Sequence, residues 1–313
     1  MIVVLAGGVG GARFANGLAG LLGAGELTVA VNVGDDFDHL GLRICPDLDT
    51  VTYTLANLNN RELGWGQVGE TWSFMDAIRK LGGPDWFNLG DRDLATHILR
   101  THRLNAGEPL SAIVADFAAQ RGITQRILPV TDDPLRTKVM TDEGELDFQD
   151  YFVRRRCEPV FRSIRFAGAE SARAHPEVLA ALADPALEAI LIAPSNPLLS
   201  LAPILAVAEI SKALRRRAVP CVAVSPFIAG QAIKGPAAKI LRELGIEPGP
   251  AAIADHFGPL IDGLVIDNGD AVDFPMGGTC PALLRTDILM DGDAGQQRLA
   301  GEVLAFARSL RRG

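Results

Sequence analysis

Glycine fills four of the five positions from Gly7 to Gly11, and Arg13 follows. The turn comes directly after the apolar run Ile2-Val3-Val4-Leu5-Ala6. Lacking Cβ atoms, Gly7, Gly8, Gly10 and Gly11 let backbone approach backbone, or approach a ligand. Peptide N–H groups at the start of the helix that follows can hold a phosphate. On the residues alone, tight packing and ligand binding both stay open. A second group is acidic: Asp35, Asp36, Asp47 and Asp49, with His39 between them. Carboxylates without clustered Cys or His suit a hard cation such as Mg²⁺ and do not suit structural zinc. Mg²⁺ beside a phosphate-binding turn would neutralise charge developing in phosphoryl transfer. A carboxylate can also orient or deprotonate an attacking hydroxyl. Asp47 stands before a helical pattern and reads first as a cap or turn former. A third group is Gly90-Asp91-Arg92-Asp93, which reads either as a helix cap or as an arginine fork aimed at a phosphate or polar ring. Arg154-Arg155-Arg156 reads as a solvated stretch, with a phosphate role as the alternative. No Ser-His-Asp or Cys-His arrangement is present to suggest a covalent intermediate.

The glycine turn fits neither common nucleotide fingerprint. The dinucleotide pattern begun at Gly8 needs Gly or Ala where Arg13 stands. The acidic residue that would hold a ribose at the end of the second strand is replaced by Asn32. No Gly-Lys-Ser/Thr follows, so the P-loop pattern fails as well. A phosphate-bearing ligand other than NAD or ATP remains.

The elements that position these groups alternate. Ile2 to Ala6 and Leu27 to Val31 read as strands around a helix with Phe14, Leu18, Leu21 and Leu22 on one face. Thr50 is expected to cap a helix reaching Leu58. Helices follow over Thr71 to Leu81, from Asp91 through Arg103, and over Leu110 to Gly122. Arg126 to Val130 is a strand, and a hairpin turns about Asp142-Glu143-Gly144. Strands at Ala189 to Ala193, Val219 to Val224 and Gly263 to Asp267 alternate with helices at Pro203 to Arg216 and Pro236 to Leu244. An apolar run, Ala282 to Leu284, and a helix through Arg308 close the chain. This alternation predicts one α/β domain over residues 1–313 with a doubly wound, mainly parallel Rossmann-like sheet. A smaller inserted α/β region for substrate is expected at about residues 50–175. Such sheets bind ligands beyond the carboxyl ends of their strands. The clusters Gly7 to Gly11, Asn32 to Asp36, Pro194 to Pro197 and Ser225 to Gly230 would then share one rim.

Composition narrows the partners. The chain has 313 residues, enough for one large domain, and a formal net charge of −8, which gives no bulk attraction to nucleic acid. Cys45, Cys157, Cys221 and Cys280 lack CxxC spacing and read as reduced thiols of a cytoplasmic protein. The first apolar run is too short, and lacks the basic flank, for a signal peptide. No stretch has the length of a membrane span.

Taken in order, these motifs resemble the 2-phospho-L-lactate transferase family of coenzyme F420 biosynthesis. The resemblance rests on Gly7 to Arg13, Asn32 to Asp36, Pro46-Asp47-Leu48-Asp49-Thr50, Leu89 to His97, Phe148 to Phe152, Pro194 to Pro197 and Ser225 to Gly230. It covers about nine tenths of the chain and is diffuse after about Asp270. Gly64-Trp65-Gly66 with Arg43-Ile44-Cys45 looks closer to actinobacterial members than to archaeal ones. The resemblance implies a Mg²⁺-dependent enzyme that joins the deazaflavin Fo to a phosphorylated three-carbon acid carried on guanosine diphosphate, and releases GMP. It implies Fo contacts at Asp49, Asn88, Asp91 and Arg92, and a metal at Asp35, with Asp49 the second candidate. Asp49, Asp35 and Arg92 become the catalytic candidates. The guanosine diphosphate moiety is assigned to Gly7, Gly8, Gly10, Gly11, Arg13, Ser195, Asn196, Ser225 and Gly230. A homodimer is ordinary for the family. The competing reading is a non-catalytic regulator of the same fold that binds nucleotide sugars; a nicotinamide oxidoreductase ranks third. The residues do not say whether the acid is lactate, enolpyruvate or glycerate.

Overall fold

The computed structural model describes residues 1–233, 235–272, 274 and 280–310. Its centre is a sheet of seven strands: β1 (Ile2–Ala6), β2 (Leu27–Val31), β3 (Arg126–Pro129), β4 (Ala189–Ile192), β5 (Cys221–Val224), β6 (Gly263–Asp267) and β7 (Ala282–Thr286). Their order is β3-β2-β1-β4-β5-β6-β7. All neighbours are parallel, with Ile2 opposite Leu27 on one side and Ala189 on the other. Every residue of β1, β2, β4 and β5 is buried, which is why those strands read as unbroken apolar runs rather than alternating ones. The predicted doubly wound α/β architecture is the observed one.

The long excursions lie on either side of β3. Residues between β2 and β3 form a small hairpin (Phe37–His39 with Leu42–Ile44) and four helices. Among these are α2 (Pro46–Leu55) and α3 (Asp91–Asn105). Beyond β3, the strands Arg136–Thr141, Gly144–Asp147 and Phe161–Ala167 make a separate antiparallel sheet with Arg136–Thr141 in the middle. The stretch expected as one insertion, 50–175, is therefore two, divided by a strand of the central sheet.

Three local expectations are corrected. α2 starts at Pro46, with Cys45 as its cap residue, so Thr50 lies inside the helix. Proline's fixed φ and missing N–H suit the first helical position, and that signal outranks the threonine. The helix expected over Pro203 to Arg216 is broken: Pro197–Ala206 and Ala208–Arg216 meet at 89°. Val207, at the break, is extended (φ −71°, ψ 105°). Helix Pro250–Phe257 was not anticipated. No single helix among the described residues is long and apolar enough to cross a membrane.

α1 (Gly8–Ala19) packs across α4 (Gly292–Ser309) at Gly17, where an added Cβ would lie 2.2 Å from the Gln296 carbonyl oxygen. Asn16 donates from Nδ2 to Gln296 Oε1 at 2.7 Å in the same contact. Alanine is the better helix former by about 1 kcal/mol. Forcing a methyl against backbone costs about 1–3 kcal/mol and wins. Gly17→Ala is expected to lower the urea midpoint at unchanged slope; a raised midpoint would show that the two helices can separate at no cost.

Candidate functional site

The strand order reverses between β1 and β4, so the loops after these two strands diverge and leave a crevice. The loops are tied to each other. Ser195 Oγ donates to the Gly7 carbonyl at 2.7 Å and accepts from the Gly7 N–H at 3.3 Å. A Cβ on Gly10 would lie 2.4 Å from the Pro194 carbonyl oxygen, and one on Gly7 2.4 Å from Asp47 Oδ2. Close packing thus accounts for these glycines before any ligand is invoked. Gly11 packs against Ser195 and Ala6, while Gly7, Gly8 and Gly10 also line the crevice.

Two carboxylates converge at this place. Asn32, at the end of β2, donates from Nδ2 to Asp35 Oδ1 and to Asp47 Oδ2, each at 3.0 Å. Its own Oδ1 accepts from the Gly34 N–H at 2.7 Å, which fixes which way the amide points. Asp47 Oδ1 accepts from the N–H of Gly8, in the first turn of α1, at 2.7 Å. Burial lifts Asp35 well above the usual carboxylate range, and the charge of Asp47 adds to the lift. Burial raises Asp47 to about 6 against the bonds from Asn32 and Gly8, which favour its ionised form. Asp36, buried beside them, is pushed by desolvation to about 7 despite the pull of Arg136. A buried pair of hard oxygen donors short of positive charge fits a hard divalent cation. Asp35 and Asp47 are the residues that would hold it.

The crevice opens into a cavity of about 760 Å³. At one end are the Gly7 to Gly10 turn, Asp35, Asp47, Ser195 and Asn196. The wall also carries Trp65, Trp86, Phe87, Phe148 and Phe152. Phe148 and Phe152 stack with centroids 5.4 Å apart, and Trp86 meets Phe87 edge-on at 5.7 Å. Arg13 lines the cavity, and its guanidinium makes no hydrogen bond or ion pair among the described residues. Asn196 Oδ1 caps the following turn through Leu198 and Leu199 N–H. The cavity therefore combines a polar, amide-rich end suited to phosphates with aromatic walls suited to flat rings.

Several residues singled out from sequence lie elsewhere. Asp49 points from the opposite face of α2 into a buried ion pair with Arg100, beside His97 Nδ1 at 3.7 Å. It does not line the cavity, whereas Asp47 and Thr50, three residues apart on α2, do. Asp91 is a cap: it accepts from the Ser73 and Phe74 N–H groups, both at 3.1 Å. Glu70 returns the arrangement by accepting from Arg92 and Asp93 N–H. The Arg92 guanidinium bonds the Val68 carbonyl at 3.1 Å, away from the cavity lining. Asn88 lines the cavity while its Oδ1 accepts from Arg79. Ser225 is fully buried against Phe227, and the Gly230 carbonyl accepts from Arg242; neither lines the cavity. Arg154 and Arg155 are solvated, paired with Asp150 and Glu143. The residue that sequence reasoning undervalued is Asp47. Its signal was Pro46, which starts the helix at residue 46 rather than after Thr50 and so puts Asp47 and Thr50, three residues apart, on one helical face.

Comparison with known proteins places the chain in a family. The family model described as 2-phospho-L-lactate transferase CofD matches residues 2–275. A protein of Streptomyces coelicolor named phosphoenolpyruvate transferase is 42% identical over 318 residues, spanning 99% of each chain. One of the same name from Mycolicibacterium smegmatis is 41% identical over 290 residues, covering 86% of this chain and 88% of its own. Among solved structures, a UPF0052 family protein from Bacillus halodurans aligns with a TM-score of 0.63 over 97% of this chain and 98% of its own; at 13% identity the likeness is one of fold. With the family model running from the first residue of β1 past the end of β6, the chain belongs to the 2-phospho-L-lactate transferase (CofD) family.

Proposed function

We propose that this transferase moves a phosphoenolpyruvyl group from its guanosine diphosphate conjugate to the terminal ribityl hydroxyl of the deazaflavin Fo. The acid is taken from the names of the relatives that align with nearly the whole chain. The acceptor and donor are those of the family. The new bond joins the ribityl oxygen to the phosphorus that carries the acid. The phosphoanhydride bond breaks, and its bridging oxygen leaves with GMP.

One observation carries the reading: Asp35 and Asp47, held together by Asn32 beside the first turn of α1, face a cavity with aromatic walls. A cavity of about 760 Å³ is of the size that encloses small organic ligands. The first-turn N–H groups of α1 and the unpaired Arg13 suit the pyrophosphate. A carboxylate oxygen of the pair left free by the cation is placed to take the proton that the attacking hydroxyl gives up. Held by Asp35 and Asp47, a Mg²⁺ ion would supply positive charge to offset that of the pyrophosphate. Asp49 is assigned a supporting role, because its charge is already matched by Arg100.

Incubation with Fo, Mg²⁺ and each guanylylated acid, with products read by mass, tests the reaction. The enolpyruvyl conjugate is expected to give the Fo phosphodiester and GMP; binding of ligands with no product would favour a regulator. The carboxylates are tested by pH. Since the folded pKa of Asp47 is raised, its stabilising share is present below the unfolded value and is lost as pH rises through about 6. Without cation, the native protein is therefore expected to lose melting temperature between pH 5 and pH 8 relative to Asp47→Asn. Mg²⁺ should restore it at pH 8 and do little at pH 5. An equal Mg²⁺ effect at both pH values, or one that survives in Asp47→Asn, would remove this residue from the cation site. Asp49→Asn separates the two aspartates. It leaves buried Arg100 without its partner, a loss of about 3–5 kcal/mol. A large drop in melting temperature is expected, with Mg²⁺ half-saturation of the remaining folded protein unchanged.

A further inference from the structure

Trp65 has no part in the chemistry above, yet its setting is specific. It stands at the tip of a hairpin-like flap closed by the Asn59–Gln67 bridge. Val68 N–H donates to the Leu58 carbonyl at 2.7 Å, and Asn60 N–H to the Gly66 carbonyl at 3.0 Å. Gly64 and Gly66 flank the tryptophan in the left-handed region, at φ 78° and 70°, where other residues are strained. At the foot, the Arg61 guanidinium reaches across to both carboxylate oxygens of Asp293 on α4, at 3.0 and 3.1 Å.

The tip forms part of the cavity wall, and Trp65 is 41% exposed there. The other aromatic residues of the wall are already paired with one another: Trp86 with Phe87, and Phe148 with Phe152. Among the described residues the only ring against Trp65 is Trp72, which it meets at a steep angle (65°, centroids 5.8 Å apart). A steep contact steadies the indole without covering it face to face. Open aromatic area on the wall of a ligand cavity is the feature that a flat heteroaromatic ring covers on binding.

We propose that Trp65 is a stacking platform for a planar heteroaromatic ring bound in the cavity, and that the Arg61–Asp293 pair holds its flap closed over that ring. Two rings have this chemistry in the reaction proposed above, the tricycle of the acceptor and the purine of the donor. The inference rests on that reading only for the choice of probes.

The test is equilibrium titration of the full chain with Fo and, separately, with GDP, both with Mg²⁺. Trp65→Ala is expected to weaken one of the two by about tenfold, the usual scale of one stacking contact, and Trp65→Phe to recover most of it. Weakening confined to Fo assigns the platform to the acceptor, and weakening confined to GDP assigns it to the donor. Arg61→Ala is expected to speed dissociation of the same ligand while leaving the melting temperature within about 2 °C, as for other exposed positions. Titrations of Trp65→Ala that match the native protein for both ligands would overturn the platform. So would a native protein that binds neither ring. Native protein that binds both rings but forms no product sinks the transferase reading and leaves the platform standing.

Discussion

The structure depends on the cost of placing two carboxylates together where water is scarce. Asp35 and Asp47 are both nearly fully buried and share one amide, that of Asn32. Burial raises the proton affinity of both, and the charge of Asp47 raises that of Asp35 further, so the two do not readily ionise together without a partner. The fold tolerates the arrangement because each oxygen that faces protein meets a donor: the Asn32 amide for both residues, and the Gly8 N–H at the positive end of α1 for Asp47. Asn32 could not be an acidic residue here. The replacement that argued against a ribose-binding acid is the same one that lets the carboxylates meet. A site built this way is unstable in proportion to its missing positive charge, and so it is ready to take a cation.

α2 gives that pair its geometry by dividing its acids between two faces. Asp47 and Thr50 face the cavity. Asp49 and Tyr53, one turn apart, face α3, where Asp49 meets Arg100 and the Tyr53 hydroxyl donates to Asp93. His97 lies between the two aspartates, 3.7 Å from Asp49 and 3.3 Å from Asp93. Arg100 also donates to the Arg43 carbonyl at 3.2 Å, which ties in the small hairpin. This buried polar brace fixes the rotation of α2 about its axis, and a rotation of one residue position would carry Asp47 out of the cavity. Buried charge is a costly way to join helices. It is also directional where apolar packing is not, and direction is what Asp47 needs.

The sheet was legible because burial on both faces writes an unmistakable pattern. β1, β2 and β6 were read to the residue, and the turns after β1 and β4 were rightly brought together. The glycine turn and the carboxylates were legible as two groups, and the structure brings Gly8, Asp35 and Asp47 to one place. Which carboxylate faces the cavity was not legible, since Asp47 and Asp49 differ by two positions and helical phase depends on where the helix starts. Pro46 settled that, and its weight against Asp49-Thr50 was misjudged. The block Gly90-Asp91-Arg92-Asp93 misled for a different reason. Its partners, Glu70, Ser73 and Phe74, are 17 to 23 residues away in sequence, so reciprocal capping could not be read from local spacing. The broken helix at Val207 escaped because neither a glycine nor a proline stands at the break to signal it.

The two kinds of surface in the cavity imply an order of recognition. Charges and amides lie where β1 and β2 end and α2 begins, on elements buried in the core and locked by hydrogen bonds within it. Part of the aromatic wall lies on a hairpin anchored by an exposed ion pair. An exposed pair contributes little and opens easily. Rigid donors suit the group whose charge must be met without reorganisation, since preorganised dipoles act best when they need not move. A movable aromatic surface suits a ring that has to enter, stack and leave intact. Thus the fold keeps its stiffness where the carboxylates and amides gather and its freedom at the aromatic rim of the cavity.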